Sequence, residues 1–199
     1  MTTATHTTAQ AWIELRATDP EAASAFAIAR ADLEAGRTLE SLRRFRVFEL
    51  RGALPDAANI TTLLHRSTQF YNPGKERCVV RAVPGDAAPL RDGETLVLVF
   101  ERGGERRTAA ERWWKHETGE RVEVREGVAW ALRFAPGADA EGLAADLAVA
   151  RDRAHGLLAN PHAQEWRPGR MEGSDGNPPL EWIGSKVARG TRGRSGRAG

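Results

Sequence analysis

A single cysteine, Cys78, in 199 residues rules out an intramolecular disulfide and leaves the Cys/His spacing of a structural zinc site unfilled. No apolar run approaches the roughly 20 residues of a membrane-spanning helix. The opening Met1-Thr2-Thr3-Ala4-Thr5-His6-Thr7-Thr8 lacks the basic-then-apolar order of a secretory signal. The glycine-rich loop GxxxxGK[ST], which cradles nucleotide phosphates, is missing too. These absences point to a cytoplasmic chain with no cofactor and no metal.

What is present is ordinary in amount and uneven in placement. The chain is 41% hydrophobic and 28% charged, enough for one buried core. Its pI near 9.1 comes from the end of the sequence. Lys186, Arg189, Arg192, Arg194 and Arg197 follow the last acidic residue, and without these five the remainder has 24 basic residues against 27 acidic, a net charge of −3. The body is mildly acidic and the tail basic.

Residues 1–9, polar and threonine-rich, are expected to be a disordered arm, 10–159 a single α+β domain, and 160–199 an extended Pro/Gly-rich and basic tail. Gln10 to Arg16 suits either a short strand or a helical turn. Thr18-Asp19-Pro20 is a helix start, and a helix is expected to about Ala35, ended by Gly36. One more turn of helix is expected at Thr38–Leu42, and then a strand from Phe45 to Leu50 whose alternation changes phase between Val47 and Phe48, as at a bulge. Asp56 caps a second helix, Asn72-Pro73-Gly74 is a turn, and Arg77–Val83 is a strand.

The organising stretch is Gly93–Phe134. Leu96–Phe100 is a continuous apolar run, while Arg121–Arg125 and Val128–Phe134 alternate with period two, so all three read as strands. Arg106–Glu117 suits either a helix or the long arm of a hairpin, with a strand favoured toward its end, turning at Thr118-Gly119. Asp139 starts a long final helix through Leu143, Leu147, Ala154 and Leu158. No internal repeat is evident. The expected fold is thus α+β, a curved antiparallel sheet of about five to six strands packed against an N-terminal helix and a long C-terminal helix. In element order it resembles helix-grip ligand-binding folds and, less closely, the cone-shaped α+β barrels of the nuclear-transport-factor-like group. The likeness is one of order and carries no residue roles.

Candidate functional residues fall in four places. Tyr71, Asn72 and Lys75 flank a rigid turn that can present amides and a cation to a ligand. Trp114 and His116, in the dense run Arg112-Trp113-Trp114-Lys115-His116-Glu117, and Trp130 on the last strand suit a pocket wall, with His116 and Glu117 as a possible acid/base pair. Cys78 reads as a small buried apolar group, or as a nucleophile with His65 or His116 as base. His155 and His162 are separated by Asn160-Pro161 and share no helical face. Trp182 and Ile183, in the apolar island Pro178–Ile183, suit an anchor onto a partner or onto the domain itself.

The expected function is that of a non-enzymatic binding or adaptor domain for a partner protein or small apolar ligand, with the basic tail as a second contact. Two alternatives follow from the same residues: association with nucleic acid through Lys186, Arg189, Arg192, Arg194 and Arg197, the body binding weakly unless it carries a basic patch, for which Arg43, Arg44 and Arg46 are the nearest candidate, or a small enzyme with a histidine–carboxylate site. If the tail grips single-stranded RNA, log affinity against log salt should have a slope of about −3.5, and fourfold more salt should cost on the order of a hundredfold in affinity. Titrations of full-length protein and of protein lacking Lys186–Gly199 at two salt concentrations test this. Equal affinities for the two would reject it.

Overall fold

The computed structural model describes residues 6–169 and 177–183. Along them the order β-α-β-α-β occurs twice. The first set is β1 (His6–Leu15), α1 (Pro20–Asp32), β2 (Leu39–Ala53), α2 (Ala57–His65) and β3 (Glu76–Arg81). The second is β4 (Thr95–Glu101), α3 (Thr108–Thr118), β5 (Val122–Phe134), α4 (Ala140–Ala148) and β6 (Gln164–Pro168). The strands form one open antiparallel sheet in the order β3-β1-β2-β5-β4-β6. The class is α+β, as expected from the sequence.

The sheet order is that of a two-fold repeat. Each half runs outward-to-centre as third, first and second strand, and the halves meet along β2 and β5. The turns leading into β3 and β6 carry the same hydrogen bonds. Asn72 O accepts from the amides of Lys75 and Glu76, and Asn160 O from those of Ala163 and Gln164. Each asparagine Oδ1 takes the amide two residues on, Gly74 or His162. Each asparagine amide donates to the side chain four residues on, Glu76 or Gln164. Matching these turns and walking along the strand registers brings Cys78 onto Trp166, Ile13 onto Val99, and Arg46 onto Val128. Arg46 and Val128 also pair with each other across β2–β5, so the axis passes between them. An internal repeat is therefore present, against expectation.

Side-chain chemistry explains the elements. Asp19, Asp56 and Asp139 each accept amide hydrogens from the first turn of α1, α2 and α4, which satisfies donors that have no partner within the helix. Gly119, at φ 79, closes α3 in a left-handed conformation that would strain any side chain. α3 corrects the expected strand near Trp114. Ala110 and Trp114, four residues apart, form one buried face, so helical spacing prevails over the strand preference of aromatic residues. The expected helical turn at Thr38–Leu42 is instead the start of β2 from Leu39.

β2 has no bulge at Val47–Phe48, because its register with β5 is continuous there. Its change of phase reflects burial on both faces, with Phe45 and Val47 on one side and Phe48 and Leu50 on the other. The long terminal helix is also corrected, since α4 stops at Ala148. Leu157 and Ala159 return alongside it through amide bonds to Leu147 O and Ala148 O, after a turn built on Asp152 and on Gly156 at φ 80. Residues His6 to Ala9 belong to β1 rather than to a free arm, being paired with Leu50–Ala53. β6 and residues 177–183 likewise extend the folded part into the stretch expected to be tail.

All four helices cover one face. α1 and α4 bury a cluster with Trp130 and Leu132, while α2 and α3 bury another with Phe48 and Val124. A belt of charge at the axis divides them: Arg46 bonds Glu76 at 2.9 Å and approaches Glu126 at 3.5 Å, and Arg107 bonds Glu126 at 3.1 Å. The opposite face carries Trp12, Phe45, Leu98 and Phe100 and, among the described residues, no helix.

Truncating the two matching turn side chains should separate their roles. Glu76→Ala is expected to cost about 2 kcal/mol, because it frees the Asn72 amide and also removes the nearer of the two carboxylates of Arg46, and Gln164→Ala about 1 kcal/mol. Urea denaturation measures both.

Candidate functional site

The helix-free face is covered by residues 177–183, which lie across β3, β1 and β2 and are held by four polar side chains. β-strand alternation brings Gln10, Glu49, Arg51 and Arg81 to this face. Gln10, Glu49 and Arg81 have no exposed surface. Arg81 Nη2 donates to Pro178 O at 2.9 Å, and Gln10 Nε2 donates to Pro179 O and Leu180 O, both at 2.9 Å. Glu49 Oε2 accepts from the amides of Trp182 and Ile183, both at 2.9 Å, and Arg51 Nη2 donates to Ile183 O at 2.9 Å.

Donors and acceptors follow the chemistry of the bound segment. Pro178 and Pro179 have no N–H, so only carbonyls need partners there, and they meet donors. A carboxylate stands where amides return. The clamp is also tied to itself, since Gln10 Oε1 accepts from Arg81 Nη1 and Trp12 Nε1, both at 2.9 Å, and Arg51 Nε bonds Glu49 at 2.8 Å. Burial raises the Glu49 pKa above the ordinary carboxylate value, while the Ile183 and Trp182 amides and Arg51 pull it back.

Side-chain recognition is concentrated in Trp182. It is 1% exposed and packs edge-on to Phe100 with ring centres 5.9 Å apart. Its ring lies on Gly127, where an added Cβ would come within 2.8 Å of Trp182 Cη2. Ile183 is fully buried beside it. At the start of the segment the Ala88 amide reaches Asn177 Oδ1 at 3.1 Å, and Thr8 bonds Glu181 at 2.6 Å. Trp182 and Ile183, offered by the sequence as a partner's anchor, are thus engaged by the chain's own sheet.

The six expected ligand residues do not converge. Tyr71 and Trp114 lie buried in the α2–α3 cluster, Tyr71 with its hydroxyl 2.9 Å from His65 Nδ1. Asn72 builds the turn described above and Lys75 is exposed. His116 is on the exposed side of α3, and its neighbour Glu117 pairs with Arg66 at 3.0 Å instead. Trp130 is buried in the other cluster, under α1 and α4, so the expected Trp130-lined concavity is filled. Burial, reinforced by Glu76, pushes the Cys78 thiol up to about 12, which keeps it protonated and a poor nucleophile at neutral pH. His155 pairs with Asp152 at 2.9 Å.

Among the described residues no group of three or more His, Cys, Asp or Glu side chains is placed to hold a metal, and no helix is long and apolar enough to cross a membrane. Lys186, Arg189, Arg192, Arg194 and Arg197 lie outside the described residues.

No family model, curated protein or solved structure matches this chain. The reading of the site therefore rests on its own geometry. Sequence reasoning missed Gln10, Glu49, Arg51 and Arg81, and the signal available was the apolar island at 178–183, which needs a surface to cover.

Trp182→Ala should lower stability by about 3–5 kcal/mol, the range for emptying a buried aromatic site. Glu49→Gln should cost about 3 kcal/mol, because an amide cannot accept from both main-chain N–H groups while facing Arg51. Guanidinium unfolding of both variants checks these values, and losses below about 0.5 kcal/mol, the usual effect of a surface substitution, would contradict the clamp.

Proposed function

We propose that this chain is a non-enzymatic binding domain whose helix-free sheet face recognises a short proline-led peptide through its main chain, with residues 177–183 as the ligand it holds at rest. What supports the reading is one observation: each bond from Gln10, Glu49, Arg51 and Arg81 to the segment goes to main chain. Main-chain recognition gives affinity for a peptide, and a single aromatic pocket gives it a register. Arg81 and Glu49 set donors at the proline end and an acceptor at the tryptophan end, so the direction of the bound chain is specified as well.

The peptide recognised in this way is short and bends at Leu180 and Ile183, with carbonyls exposed at a proline pair and a tryptophan three residues beyond it. A partner carrying such a segment competes with the chain's own. Prolines lower the cost of ordering the incoming peptide, because their φ is already fixed.

The test introduces a protease site between residues 169 and 177 of the full chain and cleaves the folded protein. The released piece should stay bound and exchange with a labelled synthetic peptide of residues 177–183. A peptide with alanine in place of Trp182 and Ile183 should fail to exchange. If neither peptide enters while the cleaved protein remains folded, the face is only a covered core and the proposal fails.

A further inference from the structure

The two halves end differently along one strand edge. In the second half the last β4–β5 pair is Val99–Val128, and the chain then turns back onto β5. Arg106 bridges Arg125, and the Arg107 amide reaches Val124 O at 2.8 Å. Glu111, in the first turn of α3, accepts from the Val124 amide at 3.0 Å. Both outward main-chain groups of Val124 are satisfied.

In the first half the β1–β2 ladder ends at the matching pair, Ile13–Arg46, yet β2 continues back to Leu39 and, among the described residues, has no strand beside it on that side. The repeat places Leu42 where Val124 stands. Its N–H and C=O therefore turn to the open edge, as alternation along an antiparallel ladder requires. Ala23 stands in place of Glu111: each donates its amide to the carbonyl of the helix-capping residue, Asp19 or Arg107. Among the described residues no carboxylate reaches the Leu42 amide. The loop after β1 does not close the gap, because Arg16 ties it elsewhere, through its amide to Lys75 O at 2.8 Å and its Nε to Pro73 O at 3.3 Å and Glu76 O at 3.2 Å.

A cleft of about 360 Å³ remains, with Leu15, Ala22, Phe26 and Leu42 among its apolar walls. Around it Glu14 pairs with Arg43, Glu40 with Arg133, and Arg44 with Glu21. Arg91, also at the cleft, has no side-chain partner among the described residues, and Arg44 keeps a buried Nε unpaired.

We infer that the Leu42 edge is a docking site for an extended strand of a partner protein bearing an acidic side chain. Its main chain pairs with Leu42, an apolar residue enters the cleft, and its carboxylate meets Arg91. The second half supplies the template, since its own edge is closed by extended main chain together with a carboxylate. This site is separate from the helix-free face and does not depend on how that face is read.

The probe is an array of acetylated, amidated hexapeptides with Val, Ile, Phe, Thr or Glu at the four central positions, applied to the full chain. Acidic members should bind with a Kd under about 1 mM and slow hydrogen exchange at the Leu42 amide. Ala23→Glu, which installs the carboxylate present in the second half, should weaken binding at least about tenfold with the thermal midpoint unchanged. Arg91→Ala should weaken acidic members about two- to fivefold and leave neutral ones unaffected. Absence of any binder, or binding indifferent to Ala23→Glu, overturns the inference. So does Leu42 protection that rises with protein concentration alone, which would assign the edge to a second copy of this chain.

Discussion

The carboxylate of Glu49 has no exposed surface, and that is the constraint on which this half of the sheet depends. An isolated charge in such a place is unstable unless it is paired and hydrogen-bonded. Arg51 supplies the ion pair, and the remaining acceptor capacity is met by the amides of Trp182 and Ile183. Gln10 and Arg81 impose the same condition beside it with donors that require carbonyls. A bare helix-free face would leave these groups in a site shaped to exclude water. The segment is thus part of the electrostatic solution of the fold, and its main chain is the partner the sheet was missing.

The two-fold plan shows how selective that solution is. The places related by the repeat to Gln10 and Glu49 are occupied by Leu96 and Ala131, which make no hydrogen bonds through their side chains. The Gln10–Glu49 clamp therefore belongs to one half, although both halves share strands, helices and Asn-Pro turns. The helix-covered face keeps the symmetry more closely: α1 packs with α4 and α3 with α2, on either side of the Arg46–Glu126 belt. Divergence is concentrated where the halves meet their surroundings, at the sheet face and the open strand edge.

Much of the fold was legible because local chemistry agreed with the final structure. The apolar run at Leu96–Phe100 and the alternation at Val128–Phe134 became β4 and β5, and Asp19, Asp56 and Asp139 capped the helices their positions implied. Arg106–Glu117 is ambiguous in sequence between helix and strand, and the deciding feature, Ala110 and Trp114 on one face, has to be buried to matter. The repeat was hidden because likeness between the halves is confined to short stretches such as Asn72-Pro73-Gly74-Lys75-Glu76 and Asn160-Pro161-His162-Ala163-Gln164. The clamp was illegible for another reason. Its residues are far from their ligand in the chain, as with Glu49 and Trp182, and nothing local marks a glutamate or glutamine that will be buried. The island at 178–183 could be recognised from sequence, but its destination could not.

Native-state hydrogen exchange at the Trp182 and Ile183 amides tests the central claim most directly, because a ligand held by a preformed face and a segment integral to the core differ in how they open. The account predicts that both amides exchange through a local opening that leaves the β2–β5 amides protected, with a weaker dependence on denaturant than global unfolding. Exchange of the two amides only together with β2–β5, at the same free energy and with the same denaturant dependence, would contradict it.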